Sequence, residues 1–316
     1  MVKPAILIIG FNRPQMLRER VDVIAPLIHQ GISVYVSIDG PRYANPNDKK
    51  SRDQILCQIE ESPISNRISK WFSSTNSGCD IHIFNSITKV LENHEFVVVI
   101  EDDIEISASS VIQIIDKMKR NVEEGSPNPI VTMSGLSRGF PWSKNRWRES
   151  NYFSAWGFAL NRFFWELHIN NLKMSNSSEV EVKLKSSSNW QKLSKRKKEL
   201  WIERINRTNY DYAIQRTIFL DELKSVAPVF RLSNNLGHGV SGASHTRFKT
   251  PWFLKYSVVE RNDMLDEKRL ESRWKIAVLK WLDSQTWAGD GLLSVRGRNV
   301  GVRTVLKKIT NQGKTT

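Results

Sequence analysis

An apolar run, Phe96-Val-Val-Val-Ile100, passes directly into three consecutive carboxylates, Glu101, Asp102 and Asp103. Adjacent like charges repel, so such a cluster is costly unless a cation or hydrogen-bond donors neutralise it. A hard divalent ion with oxygen ligands does so, and Mg2+ or Mn2+ also bridges the phosphates of a diphosphate. The same residues read equally well as a solvated acidic turn capping a helix that begins near Ser109, because carboxylates favour helix N-termini. A second group, Asp39-Gly40-Pro41-Arg42, joins a carboxylate suited to a base or ribose with a guanidinium suited to phosphate, and Arg13 offers another guanidinium. Asp, Gly and Pro in that order also build an ordinary turn. In Asn209-Tyr210-Asp211-Tyr212 an acid lies between aromatic rings just ahead of a helical pattern. Asp211 there suits a general base towards a hydroxyl, or the N-cap of that helix. The loop Gly237-His-Gly-Val-Ser-Gly242 has backbone N–H groups able to fold over phosphates, without the spacing of either nucleotide-loop motif.

These groups need a scaffold, and the hydrophobic pattern supplies one. Residues 5–10 predict a strand, 15–30 a helix and 33–39 a second strand, the rhythm of parallel βαβ units. Residues 52–61 and 86–93 are further helix candidates, and 96–100 is a strand apolar at every position, as in a parallel sheet covered on both faces. Ligands of such sheets bind at the carboxyl ends of the strands. Three of those ends carry the polar groups described: Arg13 after the first strand, Asp39 after the second and Glu101 after the central run. Beyond them the pattern predicts an amphipathic helix over 107–124, a strand over 130–134, an aromatic stretch over 152–160, a helix over 210–223 and a strand over 226–232.

Composition bounds the class. With 316 residues, 40% apolar and 9% aromatic, the chain can fill a substantial core. Its 47 Lys and Arg against 33 Asp and Glu favour an anionic partner, whether nucleic acid, phospholipid or a phosphorylated substrate. Two cysteines, Cys57 and Cys79, exclude a disulfide framework and make a reducing compartment the default. No stretch approaches the roughly 20 apolar residues of a membrane-spanning helix, so the expected location is cytoplasmic, either soluble or peripheral on the inner face of the cytoplasmic membrane. The basic stretch 183–207, with nine Lys or Arg, two Glu and the interleaved Trp190 and Trp201, suits an anionic membrane surface with Trp at the headgroup level. Residues 273–282 repeat apolar positions at helical spacing and suit a second such contact, or an ordinary helix with a solvated face.

In their shared order these motifs resemble the GT-A glycosyltransferases, and most closely the inverting α-1,3-mannosyl-glycoprotein N-acetylglucosaminyltransferase family with its bacterial nucleotide-diphospho-sugar transferase relatives. The resemblance covers roughly residues 4–246. It rests on Ala5-Ile-Leu-Ile-Ile-Gly-Phe-Asn-Arg13, Val36-Ser-Ile-Asp39, the acidic segment 97–107, Ser154-Ala-Trp-Gly-Phe-Ala-Leu160, Tyr210-Asp211-Tyr212, Asn234-Asn-Leu-Gly237 continuing to Gly239-Val-Ser241, and His245-Thr246. It implies an α/β fold, a Rossmann-like mixed central sheet flanked by helices. The catalytic domain would be residues 1–250, with a nucleotide-binding half 1–106 and an acceptor half 107–250. A helical basic insertion would occupy 175–207 and a C-terminal extension 251–316.

Residue by residue, the resemblance implies that Asp39 contacts uracil or ribose and Arg13 the nucleotide. Glu101 would hold the donor sugar, Asp102 the ribose or sugar, and Asp103 the Mn2+ or Mg2+. Asp211 would be the catalytic base, although its neighbour Tyr210 stands where relatives have Trp or Asp. Gly239, Val240 and Ser241 would close over the diphosphate. The implied partners are a nucleotide-diphosphate sugar, a UDP-sugar such as UDP-GlcNAc favoured, and a glycan or lipid-linked acceptor. The rival classes are a basic nucleic-acid-binding protein, which leaves the acidic cluster unexplained, and a non-catalytic sugar-nucleotide binder of the same fold; nucleic acid is not an expected partner.

Overall fold

Strands apolar at every position are stable only when both faces are covered. The computed structural model of the chain describes residues 3–133, 147–173, 176–203, 205, 209–228 and 232–237, and it places two such strands side by side at the centre of a sheet. The first is β1 (Pro4–Gly10), followed by α1 (Pro14–Ile28) with Pro14 in its first turn. Next come β2 (Ser33–Ile38) and α2 (Pro46–Glu60), the latter capped by the Asn45 side chain accepting from the Asn47 N–H. That cap and Pro46 start the helix six residues before the expected 52–61. The edge strand β3 (Ile68–Phe72), absent from the sequence reading, is partly exposed and alternates poorly. Helix α3 (Cys79–Leu91) also starts earlier than expected, after Gly78 at φ 84°.

The second apolar strand is β4 (Phe96–Glu101), which leads through a tight turn to the short β5 (Ile104–Ile106) and then α4 (Ala108–Glu123). The Ser107 side chain caps α4 by accepting from the Ser110 N–H, so the acidic turn is not that helix's cap. After α4 the chain forms β6 (Ile130–Thr132), β7 (Trp147–Ser150), β8 (Phe158–Asn161) and α5 (Arg162–Lys173). Of the aromatic stretch 152–160 only the end enters a strand, while β7 and α5 lacked a signal strong enough to read. Then follow α6 (Ser177–Ser186), α7 (Ser188–Gln191), α8 (Lys195–Glu203), α9 (Tyr210–Leu220), β9 (Ser225–Pro228) and β10 (Ser233–Asn235). Residues 239–241 and 273–282, and with them the proposed closing loop, second surface helix and C-terminal extension, lie outside the described residues.

The main sheet runs β3-β2-β1-β4-β8-β6-β9-β7. Strands β3, β2, β1 and β4 are parallel, while β8 is antiparallel to both β4 and β6. The period of two in a strand sends alternate side chains to opposite faces. Ile6, Ile8, Val98 and Ile100 pack with α1, α2 and α4, whereas Leu7, Ile9, Val97 and Val99 pack with α3, α5 and α9. The expected α/β class, a mixed central sheet flanked by helices, is therefore observed. The strand β10 pairs antiparallel with β5, Asn234 opposite Glu105, which returns the chain to the acidic turn.

The basic insertion is helical, as expected, and has a small core of its own. Trp190, Trp201, Val180, Leu184 and Ile205 cluster around Tyr212 of α9. This corrects the reading of the two tryptophans as headgroup anchors: Trp201 is 2% exposed and Trp190 7%. Burying two indoles is what holds three short helices together, which in isolation are too short to persist.

Candidate active site

Strand order brings the ends of β1 and β4 together, and the polar groups that follow them meet there. Asp102 donates its backbone N–H to the Ile9 carbonyl at 2.8 Å, continuing the β1–β4 ladder for one residue beyond the strand. Its Oδ2 accepts from the Phe11 N–H at 3.4 Å. From the start of α1, the Arg13 guanidinium reaches across with one nitrogen, Nη1, 2.8 Å from Asp102 Oδ1 and 2.9 Å from Asp103 Oδ2. Burial opposes the charge of Arg13, yet Asp102 and Asp103 hold its pKa above the usual value. On the other side the Leu236 N–H donates to the Asp103 carbonyl at 2.8 Å, and Gly237 lies so close that a Cβ there would collide with Asp103 Oδ2. The closing Asn-Leu-Gly motif and the acidic motif, more than a hundred residues apart, are thus in contact.

Glu101 ends β4 half-buried. Its Oε1 accepts the Tyr210 hydroxyl at 2.5 Å, tying the acidic turn to the first residue of α9. Burial, then the neighbouring charge of Asp103, pushes Glu101 up to about 8, the Tyr210 hydrogen bond opposing. Burial likewise lifts Asp102 to about 6, against the pull of Arg13. Asp211, on the surface, is one residue from Tyr210 in the first turn of α9, and its charge is felt by both Glu101 and Tyr210. Its Oδ1 accepts the Tyr212 N–H at 2.8 Å. Asp211 is not the cap of the helix: Asn209 occupies that position, and the Tyr210 N–H donates to Asp80 Oδ1 of α3 at 2.9 Å.

Asp39 and Arg42 make contacts of their own beside the acidic turn. Asp39 is 4% exposed and accepts five hydrogen bonds: from the N–H groups of Gly40, Ser77 and Gly78, the Ser77 hydroxyl and the Asn76 amide. A carboxylate has about four lone-pair sites, so in this structure the acceptor capacity of Asp39 is spent on shaping its own loop. That loop packs backbone to backbone, since a Cβ on Gly40 would run into the Thr75 main chain. Arg42 does not face the acidic turn either. Its Nε lies 2.6 Å from Asp48 Oδ2, while Asn12 donates to Asp48 Oδ1 at 2.9 Å, clasping the loops after β1 and β2. The hydrogen bond from Arg42 holds the Asp48 carboxyl below the usual carboxylate range.

Arg13, Glu101, Asp102, Asp103 and Asp211 therefore share one electrostatic neighbourhood, and Asp39 lies under an adjoining loop. The sequence reading missed Asp80 and the tyrosine hydroxyl of Tyr210 as parts of it, and only the latter left a signal, as a departure from the relatives' Trp; Gly237 was legible as part of the glycine-rich loop, its contact with Asp103 was not. Among the described residues no three His, Cys, Asp or Glu side chains are arranged to hold a metal ion. A site resting on Asp103 would thus draw its other ligands from phosphates and water, the habit of Mg2+-type ions. The local charge fits such a cation, because burial and the further charge of Asp103 lift both Glu101 and Asp102, against the Tyr210 hydrogen bond at the first and Arg13 at the second.

No family model matches the sequence, and no curated protein matches it. Solved structures do match in part. The chain is similar to 4-diphosphocytidyl-2C-methyl-D-erythritol synthase from Anaerococcus prevotii, at 12% identity and a TM-score of 0.33, over 53% of this chain and 77% of that one. It is similar to residues 1–349 of S. aureus TarS at 15% identity and a TM-score of 0.35, over 53% of this chain and about half (49%) of that one. With mouse xyloside xylosyltransferase 1 it shares 10% identity and a TM-score of 0.34, over 69% of this chain and 81% of that one. The resemblance to the N-acetylglucosaminyltransferase family stands on the motif residues themselves.

Proposed function

We propose that this chain is an inverting, metal-dependent glycosyltransferase of GT-A fold, moving a sugar from a nucleotide-diphosphate donor, a UDP-sugar such as UDP-GlcNAc favoured, to an acceptor hydroxyl. The observation that carries the reading is the meeting of two groups at the end of β4: the acidic turn bound to Arg13 and Gly237, and the start of α9 bearing Asp211, joined through Tyr210 and Glu101. Donor-side acids and an acceptor-side base are both needed for direct displacement, and here one hydrogen bond connects them.

In this mechanism Asp211 accepts the proton of the acceptor hydroxyl as it attacks the anomeric carbon. Its carboxylate is oriented for this by the Tyr212 N–H. Glu101 and Asp102 hold the donor's sugar and ribose, and Arg13 keeps Asp102 and Asp103 aligned while the site is unliganded. A Mn2+ or Mg2+ ion held at Asp103 would neutralise the departing diphosphate. Gly239, Val240 and Ser241 would close over that diphosphate, and residues 1–250 would form the catalytic unit. A glycan or lipid-linked acceptor, in surface-polysaccharide or glycolipid assembly, is the matching partner.

A thermal-shift panel of nucleotide sugars with and without Mn2+ tests the reading. One donor should raise the midpoint only when metal is present, and Asp103→Asn should remove that shift while Asp211→Asn keeps it but abolishes turnover. Metal-independent shifts, or full turnover by Asp211→Asn, overturn it.

A further inference from the structure

The lobe formed by α6, α7 and α8 hangs on the helix that carries Asp211, and its surface differs sharply from its interior. All of its aromatic rings, Trp190 and Trp201, are turned into its core. In sequence, residues 176–203 carry seven Lys or Arg against four Glu. On α6 the acids are answered within the helix, Lys183 lying 3.6 Å from Glu179 and Lys185 2.5 Å from Glu181. The cationic excess is therefore concentrated beyond it, at exposed Lys192 and in the run Lys195-Arg-Lys-Lys198. Lys195 is exposed, while Lys198 lies over the Trp190 ring, 5.8 Å from its centroid.

We infer that this lobe is an electrostatic docking surface for an anionic phospholipid bilayer. Its exposed cations, Lys183, Lys185, Lys192 and Lys195, are spread along the lobe from α6 to α8 while Lys197 and Lys198 are half-buried, which matches an extended plane of headgroups better than a single phosphate. Single-stranded nucleic acid is gripped by exposed rings that stack on bases, and the lobe has none to offer. With both tryptophans buried, adsorption is by charge without insertion, so it weakens as salt rises. Because the lobe packs on α9 through Tyr212 and Phe219, adsorption would bring the start of α9 near the bilayer. The surface stands independently of the transferase reading, since lipid binding requires no donor.

The test is co-sedimentation of the full chain with vesicles of phosphatidylglycerol and phosphatidylcholine, compared with phosphatidylcholine alone. Binding is expected only to the anionic vesicles, falling as NaCl is raised. Lys192→Glu combined with Lys195→Glu should lower it by about tenfold or more, each cation near such a surface contributing about fivefold. Lys192→Arg with Lys195→Arg should keep it, and all variants should unfold at the wild-type temperature. No binding to anionic vesicles, or binding untouched by the charge reversal, overturns the proposal. So does tighter binding, at equal salt, to a duplex oligonucleotide through the same two lysines.

Discussion

At Glu101 burial and the charge of neighbouring carboxylates act in the same direction. A carboxyl whose folded pKa is raised keeps its proton in the native state where the unfolded chain has released it. Its contribution to stability is full below the ordinary value of 4.5, declines as pH climbs, and is lost by about 8. Glu101→Gln should therefore unfold at a higher temperature than wild type at pH 8.5 and show no such advantage at pH 4, the difference on the order of a few kcal/mol. Chemical denaturation across that pH range measures it. Gly237 makes a second prediction, because a methyl there must displace the Asp103 carboxylate. Gly237→Ala should abolish the metal-dependent donor shift while costing about 1–3 kcal/mol of stability. The carboxylates of this turn were legible as a cluster in sequence, since three adjacent acids after an apolar strand demand neutralisation. Their neutralisation by Arg13, ninety residues away, was not, and neither was the turning of Asp39 onto its own loop.

At the scale of elements, α9 is the part whose placement matters most to the proposed chemistry. Its first N–H is taken by Asp80, a residue of α3, in place of a cap of its own. Asp80→Ala should cost about 1 kcal/mol in urea denaturation and, if α9 sets the base, lower kcat more than it changes donor binding. The lobe rests on the other flank of α9, through Trp201 against Tyr212 and Phe219 with ring centroids 5.6 and 4.7 Å apart. Trp201→Ala should cost about 3–5 kcal/mol, visible as early loss of the lobe. Helices α1 and α4 were readable from periodicity because each carries an apolar stripe, and α9, buried on nearly all sides, from its run of helix-compatible residues. Strands β3, β5 and β7 were not: three to five residues long and mostly with polar or half-exposed positions, they are specified by the partner strand more than by their own sequence.

For the whole molecule, the distribution of buried surface predicts the order of opening. The central strands β1, β2 and β4 are apolar and covered by helices on both faces, whereas the lobe closes over a separate small cluster. Native-state hydrogen exchange should find the amides of β1 and β4 protected to the global limit and those of α6 and α8 opening earlier. No helix among the described residues is long and apolar enough to cross a membrane.

The amino-acid pattern by itself determined the alternation of strand and helix in the first half, the apolar centre of the sheet and the presence of acids at the end of β4, because periodicity and charge repulsion are local properties. Only the tertiary structure decided which groups meet. The order β2-β1-β4 sets Arg13 against Asp102 and Asp103, the pairing of β10 with β5 brings Gly237 back to them, and the packing of α9 places Tyr210 on Glu101. It also turned the two tryptophans inward, since short helices need a buried ring more than a surface needs an exposed one.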